Sequence, residues 1–136
     1  RLDLPQHLFL AGRQAPTRPR DPTSHHLPDD EFIDYLREKQ GTPEEVLQDR
    51  DLMQLLIPRL KADFILNDNY QPFHRPPLNV PITVYAGTEE EGEQIDFQAW
   101  QKQTSSTFRL HYFQGNHFFV NPHAQAIIRD MQARCG

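Results

Sequence analysis

The 136-residue sequence has little that would cross-link it, anchor it in a bilayer or attract a polyanion. It holds one cysteine, Cys135, next to the end. No internal disulfide can form, and a reducing compartment, the cytoplasm, is the simplest setting. No apolar run approaches the ~20 residues that a membrane helix needs. Residues 1–12 lack the three-part layout of a signal peptide. Basic charge is also short: 14 Lys and Arg face 19 Asp and Glu, for a net charge of −5. Only Arg13, Arg18 and Arg20 cluster, and Pro16 and Pro19 interrupt them, so the cluster reads as a solvated loop and not as a nucleic-acid surface. Hydrophobic content is low for a globular chain, at 37%. What the sequence does have is proline. Twelve of them, mostly in two clusters, make much of the chain irregular.

Between the proline clusters the apolar pattern alternates between strand and helix. His7 to Gly12 is the first strand, and its unbroken apolar run, Leu8 to Gly12, reads as fully buried and parallel. Such a strand needs neighbours on both sides, and few strands follow, so the chain reads as the second part of something longer. A Pro-rich loop over 13–28 ends at His25 and His26. Adjacent histidines point in different directions, which argues for surface or hinge roles and against joint metal ligation. Three helical segments come next. The first has Asp29 or Asp30 as its cap, a stripe of Phe32, Ile33, Tyr35 and Leu36, and a stop at Gly41. The second opens with Thr42 as N-cap, Pro43 at the first helical position and Glu45 closing a capping box, and it ends near Gln48. Asp51 can cap the third, which carries Leu52, Leu55, Leu56, Leu60 and Phe64 and should be kinked or split at Pro58. After a second linker over 67–81, Pro81–Gly87 is a strand, Thr88–Glu93 an acidic loop and Asp96–Gln103 a helix. Phe108–Phe113 is the third strand. Asn121-Pro122 caps and opens a last helix whose Ala124, Ile127, Ile128 and Met131 face one side. The order βαβαβα predicts an α/β fold with a parallel, helix-covered sheet. The long helical insert exceeds a minimal crossover and suggests a lid.

In open α/β sheets, sites form at the carboxyl ends of strands. Two strand ends here carry titratable groups. Glu89, Glu90, Glu91 and Glu93 follow Gly87, and His117 follows the Gly115-Asn116 turn, with Phe118 and Phe119 as an apolar floor. A carboxylate that orients an imidazole is the base half of a nucleophilic triad, and the order acid then histidine fits Ser…Asp/Glu…His. Only one glutamate can pair with His117, so most of the loop is a solvated acidic turn. Metal binding through His111, His117 and His123 fits no standard ligand spacing.

Several stretches resemble the C-terminal portion of a type II thioesterase, the α/β-hydrolase that works beside nonribosomal peptide and polyketide synthases. They are Leu8–Pro16, His25–Phe32, Gly41–Leu47, Leu60–Phe64, Pro81–Gly87, Ala99-Trp100 and Phe113–Phe119, in the family's order and over nearly the whole chain. The resemblance implies a partial α/β-hydrolase fold. Residues 1–28 would be a core strand and Pro-rich loop, 29–70 the helical lid, and 71–136 the C-terminal part of the core. It implies His117 as the triad base and Glu90 as the acid, with Glu89 and Glu91 as its alternatives. The family usually has an aspartate three residues after the strand-ending glycine. Here that position is Glu90, in a loop one residue shorter. The Gly-x-Ser-x-Gly nucleophile elbow is absent from the sequence, so the serine is expected in a missing N-terminal half and this segment alone should be inactive. The implied activity is hydrolysis of acyl groups from acyl or peptidyl carrier proteins in antibiotic biosynthesis. No metal or cofactor is implied, because the substrate is itself carried on phosphopantetheine.

A different reading is a non-catalytic binding or structural module: a degenerate or truncated hydrolase segment, or one half of a split protein. The Glu-rich, shortened loop favours it. With about three strands, exposed apolar surface should be covered by self-association or by the N-terminal half.

Overall fold

The computed structural model describes residues 3–16, 24–70, 75–90 and 96–135. Glu91 and Glu93 of the acidic loop, Arg18 and Arg20 of the basic cluster, and Pro72 and Phe73 of the second linker lie outside them. The chain divides into two compact units, residues 1–18 with 72–136, and residues 19–71.

The first unit is a parallel sheet of three strands in the order β1-β2-β3: β1 (Leu8–Ala11), β2 (Ile82–Gly87) and β3 (Phe108–Phe113). Register runs Leu8↔Ile82↔Phe108 through Ala11↔Tyr85↔His111, and β2 and β3 stay paired to Gly87↔Phe113. All six residues of β2 are buried, as expected of a central strand covered on both faces. On one face Ile82, Val84 and Ala86 pack with Phe97, Leu8, Leu10 and Leu110. On the other, Tyr85 packs with Phe9, Phe113, Phe119, Ile127 and Met131. Helix α4 of this unit (Val120–Cys135) supplies the last two.

β1 is less buried than its composition suggests. Leu8, Phe9 and Leu10 are half-buried and Ala11 is exposed, because β1 pairs only with β2 and forms an edge of the described sheet. The segment Phe97–Gln103 is a 3-10 helix and not an α-helix. Its Trp100 indole donates to the Arg13 carbonyl at 2.6 Å. Helix α4 starts at Val120, so Asn121 and Pro122 lie inside its first turn. Pro122 is tolerated there because a first-turn N–H has no intrahelical partner. Ile128 is exposed, and Ile127 is the buried residue of the stripe. A polar brace ties α4 to the sheet. Tyr85 donates its hydroxyl to Asp130 at 2.6 Å, Arg134 donates Nε and a terminal nitrogen to the same carboxylate at 2.7 and 2.8 Å, and Arg134 also reaches His111 at 3.0 Å.

The described residues of the second unit hold a 3-10 turn, Ser24–His26, and three α-helices: α1 (Asp29–Glu38), α2 (Glu44–Gln48) and α3 (Arg50–Asp68). Phe32, Leu36, Leu47, Met53 and Ile57 are buried together in its core. Its caps differ from the sequence-based expectations. Pro28 and Pro43 occupy the N-cap positions of α1 and α2 without side-chain caps. Thr42 and Glu45 form no capping box, because the Pro43 carbonyl takes the Val46 and Leu47 amides directly. Asp49, not Asp51, caps α3 by accepting from Leu52 N at 3.0 Å. α1 ends before Gly41, and Gln40 takes the left-handed turn at φ +56°. Pro58 does not split α3, which runs unbroken through it. The carbonyl left without a donor belongs to exposed Gln54, where water can satisfy it. The buried anchors Met53 and Ile57 and the packed Leu60 and Phe64 hold both sides of the proline to one core. At the unit's start, Lys61 Nζ donates to the Leu27 carbonyl at 2.7 Å and to Asp29 at 2.8 Å, and His25 lies 3.3 Å from Asp68.

Candidate active site

Two turns leave the carboxyl ends of β2 and β3 side by side, joined by the backbone. Past the last sheet pair, Thr88 N donates to Phe113 O and Glu89 N to Gly115 O, both at 2.9 Å. Main-chain hydrogen bonds thus join the two turns beyond the end of the sheet. A β-carbon on Gly87 would lie 2.5 Å from the carbonyl oxygens of both Gly115 and Asn116. Only glycine permits the second turn to settle this low over the first.

This seating brings Glu90 and His117 together. Glu90 Oε2 lies 3.1 Å from His117 Nδ1, and Glu90 Oε1 accepts from the Gly87 amide, also at 3.1 Å. The carboxylate side chain is 4% exposed and the imidazole 58%. An acid held by backbone on one oxygen and offering the other to an exposed ring is a preset orienting group. A carboxylate only accepts, so Nδ1 carries the hydrogen and Nε2, across the ring, is left as the basic nitrogen of the neutral form. The additional methylene of glutamate serves both contacts: the side chain folds back to its own strand end and still reaches the ring.

Of the four glutamates in the acidic loop, Glu89 and Glu90 are described. Glu89 is exposed and contributes its backbone amide, while Glu90 turns inward. The two phenylalanines that follow His117 go separate ways, and Phe118 is the one in ring contact with it. Phe119 is buried and stacks on Phe113 at 6.1 Å, whereas Phe118 stands edge-on to the imidazole at 5.3 Å and is partly exposed. Asn116 shapes the turn, its side chain accepting from Phe118 N at 2.9 Å and its carbonyl from Phe119 N at 3.0 Å.

The sequence pattern gave no sign of two further members. Gly12, with φ +57°, ends β1 directly behind the ring, and a β-carbon there would lie 3.1 Å from His117 Cε1 and 3.3 Å from Nδ1. His123, in the first turns of α4, approaches the Gln114 carbonyl at 2.8 Å. Both residues are visible in the sequence, one as a strand-ending glycine and one as a helix histidine, but the closeness of Gly12 to His117 and of His123 to Gln114 depends on tertiary placement. The three histidines of the metal alternative do not converge. His111 meets Arg134, His117 meets Glu90 and His123 meets Gln114. Among the described residues no group of three or more His, Cys, Asp or Glu is placed to hold a metal ion. A shallow recess of about 360 Å³ lined by His7, Pro81, Thr107, Arg109, Ala133 and Arg134 lies at the opposite strand ends and contains neither Glu90 nor His117.

Comparison with known proteins bears on this arrangement. The Thioesterase domain family model matches residues 1–135. The chain is 42% identical over 118 residues to the gramicidin S biosynthesis protein GrsT of Aneurinibacillus migulanus, covering 85% of this chain and 46% of that protein. Among solved structures, the type II thioesterase BorB from the borrelidin biosynthetic cluster superposes with a TM-score of 0.79 at 29% identity, over 94% of this chain and 53% of that one. ClbQ from the colibactin NRPS/PKS pathway gives 0.82 at 29% identity, over 95% and 56%. The chain spans about half the length of the curated relatives it matches. Its parallel sheet, its covering helices and the family model together make this a partial α/β-hydrolase fold, and the chain belongs to the thioesterase domain family.

Proposed function

We propose that this chain is the C-terminal half of a serine thioesterase that releases acyl groups from carrier proteins in peptide or polyketide antibiotic biosynthesis. The observation that carries the reading is the Glu90–His117 pair at 3.1 Å, held at adjacent carboxyl ends of parallel strands. The relatives support the setting, since the names of GrsT, BorB and ClbQ place them in such pathways.

In this reading a serine on the preceding half attacks the thioester carbonyl. His117 Nε2 takes the hydroxyl proton, and Glu90 holds Nδ1–H and stabilises the imidazolium. The tetrahedral intermediate then expels the pantetheine thiolate, which takes the proton from His117. Water, deprotonated by the same nitrogen, cleaves the acyl-serine ester and frees both acid and enzyme. The helices of 29–70, inserted between β1 and β2, act as a lid that bounds the acyl chain. The acyl group arrives on phosphopantetheine, so the reaction calls on no cofactor of its own. The single cysteine suits a cytoplasmic enzyme, and no helix of the described residues is long and apolar enough to cross a membrane.

The test is hydrolysis of an acyl-phosphopantetheinyl carrier protein by the full-length enzyme and by its His117→Ala variant. The variant should lose at least about 10³-fold in kcat, and the isolated chain should be inert. Hydrolysis that survives the loss of His117 refutes the reading and favours a non-catalytic segment.

A further inference from the structure

We infer that His123 is a positioning residue for His117, an inference that rests on the thioesterase reading above. Exposure of more than half the His117 side chain leaves little packing to fix the ring. Beyond its contacts with Glu90, Gly12 and Phe118, its placement depends on how firmly the backbone of 114–119 is tied down. On the β2 side the loop is held through Gly115, whose carbonyl accepts from Glu89 N at 2.9 Å and whose amide reaches Thr88 Oγ1 at 3.4 Å. On the α4 side the Phe118 and Phe119 carbonyls accept from the Asn121 and His123 amides at 3.1 and 3.3 Å, and the side-chain tie to the entrance of the segment is His123. Its Nε2 lies 2.8 Å from the Gln114 carbonyl oxygen, at the first residue past β3, and its ring packs on Phe113 with centroids 5.1 Å apart. Among the described residues no backbone amide reaches that carbonyl.

A carbonyl only accepts, so Nε2 of His123 carries the hydrogen. Both the neutral Nε2–H form and the imidazolium can donate it. α4 is itself fixed to the sheet by the Tyr85–Asp130–Arg134 brace. His123 thus transmits a fixed position to the entrance of the catalytic turn without touching substrate. A base displaced by a fraction of an ångström loses rate in the transition state more than it loses substrate binding.

The experiment compares two nearly isosteric replacements in the full-length enzyme, at a pH where glutamate is ionised. His123→Gln keeps an amide donor at the distance of Nε2, and His123→Glu presents only acceptors to the carbonyl. The first should retain kcat within about twofold, and the second should lose about tenfold in kcat with KM within about twofold. The His117 Nδ1–H proton, followed by NMR, should exchange with water faster in His123→Glu than in His123→Gln. Equal kcat and equal exchange in the two variants overturn the inference, as does a change confined to melting temperature. His117→Ala run alongside separates the two claims. If it leaves hydrolysis intact, the thioesterase reading fails, and if it abolishes hydrolysis while the Glu and Gln variants match, only the role of His123 fails.

Discussion

Gly87 and Asn116 are in backbone contact so close that a β-carbon on Gly87 would lie 2.5 Å from the Asn116 carbonyl oxygen. The obstacle is main chain on both sides, so no rotamer change relieves it. Gly87→Ala must lift the histidine turn off the acid turn, and it disturbs the amide that Glu90 Oε1 accepts from. The expected outcome is a loss of about 10²-fold or more in kcat of the full-length enzyme, with the sheet retained by circular dichroism. Unchanged turnover in a folded Gly87→Ala protein would mean that the seating of one turn on the other does not set the catalytic geometry.

Gly12 tests the same ring from behind. A methyl group there would press on His117 Cε1 and Nδ1 at 3.1 and 3.3 Å, and alanine is strained at φ +57°. The neighbour here is a side chain that can yield, so Gly12→Ala should be milder than Gly87→Ala, about tenfold in kcat. Its mark should be a shifted Nδ1–H resonance, because that nitrogen faces both Gly12 and Glu90. An Nδ1–H signal identical to that of the parent would contradict this placement.

Asp130 should give the fold an acid limit. The hydrogen bonds from Arg134, opposed by burial and assisted by Tyr85, hold its carboxyl at about 2, below the usual 3.8. The folded value lies beneath the unfolded one, so folding favours the ionised form. The contribution is fully present above about pH 5 and disappears as pH falls through about 2. Asp130→Asn should cost on the order of 1–2 kcal/mol at neutral pH and flatten the loss of stability between about pH 4 and 2. Denaturant melts of both proteins at several pH values measure this, and parallel pH profiles would rule it out.

The strands and the pairing of an acid with a histidine at the candidate site were legible for one reason: each depends on a short pattern that tertiary structure had no means to override. β2, Ile82–Gly87, carries apolar side chains on both of its faces and has to be covered on both. A histidine after Gly115 and an acid three residues after Gly87 stand at strand ends by count alone. What escaped the sequence is what several neighbouring residues could do equally well. Asp49 and Asp51 are both good caps, and the choice of Asp49 follows from where the α2 core residue Leu47 is buried. Glu44 was an anonymous carboxylate until Arg37 reached it at 2.9 Å. The approach of Gly12 to His117, and of His123 to the Gln114 carbonyl, came only with the pairing of β1 on β2 and the packing of α4 on the sheet. The edge position of β1 could not be read from its own composition, because burial of a strand depends on partners that the strand does not encode.

Gln40 offers a last check, independent of any activity. It holds φ +56° where the chain leaves α1, a backbone region that side chains with a β-carbon enter at a cost. Glycine stands one residue later, at Gly41, so the sequence places the permissive residue just past the turn that needs it. The Gln40 amide still closes the helix end by donating to the Arg37 carbonyl at 3.1 Å, and a glycine would keep that bond. Gln40→Gly removes the steric cost but loosens the unfolded chain, and the balance of the two should stabilise the helical unit by about 0.5 kcal/mol. Gln40→Val, β-branched and intolerant of positive φ, should instead destabilise it by at least about 1 kcal/mol. The pair fixes the sign: if valine is as stable as glycine at this position, residue 40 does not occupy the left-handed turn and α1 ends elsewhere.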